Sequence, residues 1–151
     1  MKRVSEEVRL IVNDALKLTY EISGDDFTRA GEASGDAKRK LKQIGISPEA
    51  VRKVAIAMYE GEINMVIHAD GGKIDVIISP EAITMILADK GPGIKDIEKA
   101  MQAGFSTAPD NIRALGFGAG MGLPNMKKYS DEMDIQTEIG VGTTVTMKVY
   151  I

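Results

Sequence analysis

The chain has 151 residues, of which 44% are hydrophobic and 27% charged, a composition that suits one soluble domain (1–151) with a single buried core. A net charge of −3 gives no basic field for nucleic acid or an anionic membrane, and the lack of cysteine excludes disulfides, thiolate metal sites and cysteine nucleophiles. One histidine rules out a site that needs two imidazoles, and with no transmembrane-length apolar run and no signal-peptide core the expectation is a cytoplasmic protein.

The first strand signal is Leu16 to Ile22, where Leu16, Leu18, Tyr20 and Ile22 alternate with Lys17, Thr19 and Glu21. Gly24-Asp25-Asp26 offers a turn and a cap for a helix running to about Ile44. Phe27, Ala30, Ala33, Ala37, Leu41 and Ile44 would form its apolar stripe, and Gly45 its stop. Gly31 and Gly35 weaken such a helix, and close packing against another backbone, as across a dimer, would explain them. Ser47-Pro48 opens a second helix to about Ala69, with Val51, Val54, Ala55, Met58, Val66 and Ile67 facing the core. Lys73 to Ser79 and Ile83 to Ala88 read as a hairpin and Lys95 to Ala103 as a short helix. The segment Gly104 to Gly122 has turn formers without an apolar period, as a lid would. After a helix from Leu123 to Ser130, Met133 to Glu138 and Thr143 to Tyr150 form a second hairpin. The basic runs Lys38 to Lys42 and Lys127-Lys128 read as solvated helix faces. This order of elements describes an α/β sandwich, a mixed sheet with helices on one face.

The chemistry concentrates at four places. Glycine occupies every second position from Gly116 to Gly122, a backbone suited to fold around a ligand and present N–H groups to it. A helix follows at once, so those amides would meet an anion, and a phosphate-bearing ligand is expected. The run is neither a P-loop nor a dinucleotide fingerprint. Glu60, Asn64 and His68 share one face of the second helix at i, i+4, i+8. They read either as an exposed polar stripe or as a hydroxyl-orienting base beside a metal ligand. The apolar residues Ile63, Met65, Val66 and Ile67 around Asn64 favour the latter. So does Gly61, which leaves room beside Glu60 for a ligand. Asp89, ahead of Gly91-Pro92-Gly93, reads equally as a turn cap and as an acceptor for an exocyclic amine.

Glu60-x3-Asn64-x3-His68, Asp89-x-Gly91-x-Gly93, Gly118-x-Gly120-x-Gly122 and Gly140-x-Gly142-Thr143 occur in that order. Together they resemble the N, G1, G2 and G3 boxes of the Bergerat-fold (GHKL, histidine-kinase-like) ATPases, the superfamily of gyrase, histidine kinases and MutL. The likeness runs from about residue 15 to residue 151. Within the superfamily it is greatest to bacterial anti-sigma regulatory serine/threonine kinases and the stressosome switch kinase. The stretches that carry it are Gly-Pro-Gly-Ile-x-Asp-Ile-x-x-Ala-Met, Gly104-Phe105-Ser106-Thr107, Gly-Ala-Gly-Met-Gly-Leu-Pro and Gly-x-Gly-Thr-Thr-Val-Thr.

The resemblance implies a two-layer α/β (α+β) sandwich with a mixed, mostly antiparallel sheet, helices on one face and an ATP lid at 104–122. It implies ATP and Mg²⁺ as cofactors. Asp89 would accept the adenine amine, Gly93 would let the base lie close to the backbone, and Thr144 would complete a pocket shared with Gly91, Ile94 and His68. Asn64 would hold Mg²⁺, and Gly118, Ala119, Gly120, Met121 and Gly122 would surround the phosphates. Thr107 and Arg113 would reach in from the lid, Arg113 toward the γ-phosphate. Glu60 would be the general base for a seryl or threonyl hydroxyl. The implied partner is a STAS-type antagonist (anti-anti-sigma) protein, with a sigma factor or PP2C-type phosphatase and a homodimer beyond it, and neither nucleic acid nor membrane. Against the family pattern, Ala119 expands the second glycine box and the lid is a few residues longer. No phospho-accepting histidine on a dimerisation helix and no transducer domain are present, which excludes a self-contained histidine kinase and a gyrase-type machine. Three readings remain: a protein kinase, a non-catalytic ATP-dependent binding switch, and a simple ATP hydrolase or nucleotide sensor.

Overall fold

The computed structural model describes residues 4–11 (backbone only), 15–24, 27–102 and 122–151. Among the described residues there are six strands: β1 Val4–Ile11, β2 Ala15–Ser23, β3 Gly71–Ile78, β4 Ala82–Asp89, β5 Glu132–Glu138 and β6 Gly142–Tyr150. They form one sheet in the order β1-β2-β3-β4-β6-β5. All five pairings are antiparallel, so the parallel component expected of a mixed sheet is absent among the described residues. The helices are α1 Glu32–Gln43, α2 Pro48–His68, α3 Ile97–Ala100 and α4 Gly122–Lys128.

Period-two alternation places the core. Leu18, Tyr20 and Ile22 of β2 are buried in line with Ile74 and Val76 of β3, Ile83, Met85 and Leu87 of β4, and Val145, Met147 and Val149 of β6. α2 lies across that face, touching β2, β3, β4 and β6, with α1 on one flank and α4 on the other. Val51, Val54, Met58 and Val66 are buried as their spacing implies, while Ala55 and Ile67 are only half-buried. Ser47 caps α2 as expected, its hydroxyl accepting from the Ala50 amide at 3.3 Å ahead of Pro48.

Three expectations change. β1 is an additional edge strand, and its pairing with β2 shifts register between Val4 and Val8. That irregularity breaks the alternation by which a strand is recognised. The first helix starts at Glu32, after a 3₁₀ turn at Phe27–Arg29, because Gly31 takes a left-handed conformation with φ 95° and ends any helix preceding it. Gly31 is therefore a cap beside the Tyr59 ring, and Gly35 has open space where a side chain would stand, so no other backbone of this chain crosses at either glycine. The third helix is one turn, Ile97–Ala100, because Asp96 caps it by accepting from the Lys99 amide at 3.0 Å.

With glycine at its N-cap, α1 has no side-chain cap of its own. Its first amides are met from the neighbouring helix. Glu62 of α2, fully buried, accepts from Gly31 N at 3.1 Å and Ala33 N at 3.2 Å through Oε2, and from Ser34 N at 3.0 Å through Oε1. A carboxylate at a helix N-terminus also meets the positive end of the helix dipole. One turn on, Asp36 accepts from the buried Tyr20 hydroxyl at 2.9 Å and pairs with Lys40 at 3.0 Å and with Arg39. Burial, reinforced by that carboxylate, pushes the Tyr20 phenol far above its ordinary range. Glu62→Ala would orphan three α1 amides and should lower unfolding free energy by about 3 kcal/mol or more. Denaturant melts would check this, and a loss below about 1 kcal/mol would show that water replaces the carboxylate.

Candidate functional site

Among the described residues, the sequence-predicted ones other than Thr144 lie where the C-terminal half of α2 meets α4, the end of β4 and the β5–β6 turn. Glu60, Asn64 and His68 are half-buried along α2. Burial raises the Glu60 carboxyl above the ordinary carboxylate range, and a hydrogen bond from Asn125 of α4 pulls in the opposite direction. Burial lowers the His68 imidazole from 6.5, which keeps it neutral at pH 7.

Asn64 faces the start of α4. Its amide nitrogen donates weakly to Met126 Sδ at 3.8 Å, and a methyl group at Gly122 would lie 2.8 Å from Asn64 Oδ1. Glycine at 122 thus lets the Asn64 amide lie against the start of α4 without shifting. Leu123 and Met126 anchor α4 in the core beneath them. Gly61 has a different role from the one its place beside Glu60 suggested. It is buried, and a methyl there would strike Leu87 Cδ2 at 2.2 Å and approach Met126 Cε at 3.2 Å, so its bareness serves helix–sheet packing rather than ligand approach.

At the end of β4, Asp89 Oδ1 accepts from the Gly91 amide at 2.8 Å and the Thr143 amide at 3.1 Å. The turn-cap reading therefore holds for one carboxylate oxygen. The same two bonds fix the orientation of the other, Oδ2, and the two readings are compatible. The glycines of this loop are explained by backbone packed on backbone. A methyl at Gly91 would lie 2.8 Å from Ala69 Cα, one at Gly93 2.7 Å from the Glu138 carbonyl, and one at Gly142 2.2 Å from the Asp89 carbonyl. Gly93 also has φ 83°. The Gly140 amide donates to Pro92 O at 2.9 Å, tying the two loops together.

Thr144 does not join Asp89. It pairs with Ala88 on the sheet face away from the helices, whereas Thr143 stands on the helix side, buried. Consecutive residues of a strand face opposite ways, so a one-residue difference changes the face. Thr143, already part of the Gly140-x-Gly142-Thr143 box, therefore takes the place beside Asp89 expected of Thr144, and Thr137 is a neighbour that the sequence did not single out. Their hydroxyls are 2.9 Å apart, and Thr137 Oγ1 also accepts from the Ile94 amide at 2.9 Å. Thr137 in this way links the loop after β4 to β5, and Ile94 itself packs partly buried against the core. Only the alternation of Met133, Ile135 and Thr137 could have pointed to it.

Thr107, Arg113, Gly118, Ala119, Gly120 and Met121 lie outside the described residues, as does the 104–122 lid up to Gly122. No group of three His, Cys, Asp or Glu able to hold a metal occurs among the described residues. A divalent cation here would have Asn64 Oδ1 as its protein ligand and rely on phosphate and water for the rest, a donor set that suits Mg²⁺.

Comparison with known proteins agrees with this geometry. Residues 25–149 match the family described as "Histidine kinase-like ATPase domain". An anti-sigma F factor of Caldanaerobacter subterraneus is 33% identical over 141 residues, covering 90% of this chain and 92% of that protein. One from Thermoanaerobacter sp. is 37% identical over 114 residues, covering 72% and 76%. Among solved structures, the mycobacterial sensor histidine kinase MprB superposes with a TM-score of 0.52 at 16% identity, covering 87% of this chain and 95% of that one, a likeness of fold. A box order legible in the sequence, a sheet with α2 laid across it, and this match over most of the chain lead to one conclusion: the chain belongs to the histidine kinase-like ATPase domain family, where it is similar to the anti-sigma F factors.

Proposed function

We propose that this chain is an ATP-dependent protein serine/threonine kinase of a bacterial partner-switching system. It would transfer the γ-phosphate of ATP to a hydroxyl of a STAS-type antagonist and so regulate a sigma factor or a phosphatase. Anti-sigma F factors, at 33% and 37% identity, support the partner class by their name. The observation that carries the catalytic reading is Glu60, a half-buried carboxylate one helical turn from Asn64 and held by Asn125.

In the transfer, the acceptor oxygen forms a bond to the γ-phosphorus while the bond to the β–γ bridging oxygen breaks. ADP leaves with that electron pair, and the hydroxyl proton passes to Glu60. Mg²⁺ held at Asn64 would supply charge neutralisation on the phosphates. Asp89, its Oδ1 engaged by two backbone amides, would offer Oδ2 to the adenine amine, with Thr143 in place of Thr144 beside it. Gly91, Gly93, Ile94 and His68 would complete that wall. Thr107, Arg113 and the Gly118–Gly122 backbone are assigned to the phosphates on the family resemblance. No helix among the described residues is long and apolar enough to cross a membrane, and a cytoplasmic setting belongs to the same proposal.

Linkage explains why Glu60 points to activity. Its raised proton affinity means that its contribution to stability is present below the unfolded carboxylate value and lost as pH rises through the folded one. Once ionised, the group no longer supports the fold, which sets it apart from an acid held for stability alone.

Labelled ATP incubated with purified STAS-domain proteins should place label on the acceptor. Glu60→Gln should reduce that transfer by roughly 10²-fold or more with ATP affinity within about twofold. Unchanged transfer would remove Glu60 from the base role, a stable unlabelled complex would favour the binding switch, and free phosphate alone would favour the hydrolase. Asn64→Ala should abolish the Mg²⁺ dependence of nucleotide affinity in titration calorimetry; equal affinity with and without Mg²⁺ in the unsubstituted protein would refute a metal role. The acid limb of kcat/KM for ATP should lie above the ordinary carboxylate range, and Asn125→Ala should move it further upward, because the bond it removes favours the ionised carboxylate. A downward displacement would contradict that assignment.

A further inference from the structure

We infer that the seam between α2 and α4 docks an acidic segment of the hydroxyl-bearing polypeptide, through Arg52, Lys128 and the Tyr129 ring that both cations contact; this rests on the kinase reading above. Arg52 Cζ of α2 lies 5.5 Å from the centre of the Tyr129 ring and Lys128 Nζ lies 5.4 Å from it, both within cation–π range. The ring is half-buried and packs against the core, which makes it a fixed point. Both cations are exposed, as is Lys127. Other clustered cations are neutralised: Asp36 holds Arg39 and Lys40, and Asp75 holds Lys17 and Lys73. Arg52, Lys127 and Lys128 make no ion pair among the described residues, and at the margin Lys53 reaches Asp131 at 3.6 Å. Two like charges gathered at one ring repel, and an incoming carboxylate relieves that repulsion.

The position sets the occupant. α4 meets α2 where Gly122 and Met126 adjoin Asn64 and where Asn125 bonds Glu60, and the Tyr129 amide donates to Asn125 O at 3.0 Å. Tyr129 is thus one helical turn, about 6 Å, beyond the residue that bonds the base, on the flank of α2 that Glu60 faces. Arg52 precedes Glu60 by just over two turns, about 12 Å along α2. In-line transfer sets the acceptor across the γ-phosphorus from the departing ADP. With His68 and Asp89 at the nucleoside end and Asn64 at the phosphates, the acceptor's side along α2 is that of Glu60, and Arg52 lies beyond it. A docked protein covers about 800 Å², a patch about 16 Å in radius, which takes in both cations. The net charge of −3 repels acidic proteins at large, so a local cation cluster selects one that carries carboxylates close to its hydroxyl. Asp131 and Glu132 adjoin the cluster and would repel the continuous phosphate chain of a nucleic acid.

The test is steady-state phosphotransfer from labelled ATP to purified STAS-domain proteins of the same genome, at low and at moderate salt. Calorimetry of ATP binding and release of free phosphate are measured alongside. Arg52→Glu combined with Lys128→Glu is compared with the unsubstituted chain and with Lys38→Glu combined with Lys42→Glu, an equal change of net charge on exposed lysines of α1. Reversal at Arg52 and Lys128 should raise acceptor KM by about tenfold or more and remove its rise with salt, with ATP affinity and phosphate release within about twofold. The α1 pair should leave acceptor KM within about twofold. An unchanged KM on reversal with the acceptor still labelled, or an equal rise in the α1 pair, would overturn the docking role alone. So would binding of labelled duplex DNA that the reversal abolishes while KM stays unmoved. If misfolding lowers ATP affinity and phosphate release together, Arg52→Ala combined with Lys128→Ala replaces the reversal, and KM should rise about threefold or more. An unchanged KM in that pair would overturn the role equally. Absence of label from every STAS protein with the unsubstituted chain would overturn the kinase reading, and this docking role with it.

Discussion

A fully buried carboxylate must be matched by donors, and in this protein the donors are the first amides of the neighbouring helix. Glu62 is 0% exposed and has three backbone N–H groups around it. The bond set joins α1 to α2 at a defined height and angle, which hydrophobic contact alone would leave free to slide. It also relieves α1 of the need for a capping side chain. Gly31 is therefore free to be a glycine, and the Tyr59 ring can lie on it. The position of α1 on α2, and the seating of the Tyr59 ring on Gly31, both depend on this one interaction.

Steric clearance plays the equivalent part on the other flank. Gly61 admits Leu87 and Met126 against α2, Gly122 admits the Asn64 amide, and Gly91, Gly93 and Gly142 admit the backbones of Ala69, Glu138 and Asp89. Each glycine removes a methyl group that would otherwise hold two elements apart. The candidate site is where these close approaches coincide, and its polar groups are held by neighbouring backbone as much as by one another. Asp89 bonded to the Gly91 and Thr143 amides is the clearest case.

Two acids of α2 differ in how fully the protein satisfies them. Glu62 and Asp36 are buried acidic groups satisfied by amides, a phenol and cations, and each supports the fold. Glu60, two residues before Glu62 on the same helix, sits only half-buried with a raised proton affinity and a single amide partner on α4. Two carboxylates on successive faces of one helix thus have opposite characters, set by what lies opposite each. The first is enclosed by the protein; the second is only partly covered by it.

Much of this was legible in the chain. The two hairpins, the long second helix with its Ser47-Pro48 start, the four glycine-bearing boxes and the grouping of Glu60, Asn64 and His68 follow from local chemistry. Period-two and helical spacing, capping preference and backbone permissiveness operate within a few residues. What lay beyond reach involves partners distant in sequence. Glu62 reads as one more helix acid until α1, about thirty residues earlier, places three amides around it. Gly61 reads as room for a ligand until Leu87 fills the space. The choice between Thr143 and Thr144 depends on the register of β6 against β4, which a single-residue offset reverses. β1 escaped notice because its irregular pairing spoils alternation. Local sequence, then, determined which segments are helix or strand and which side chains are able to do chemistry. Tertiary structure decided which of them meet, because packing and register are settled between elements that the chain itself keeps far apart.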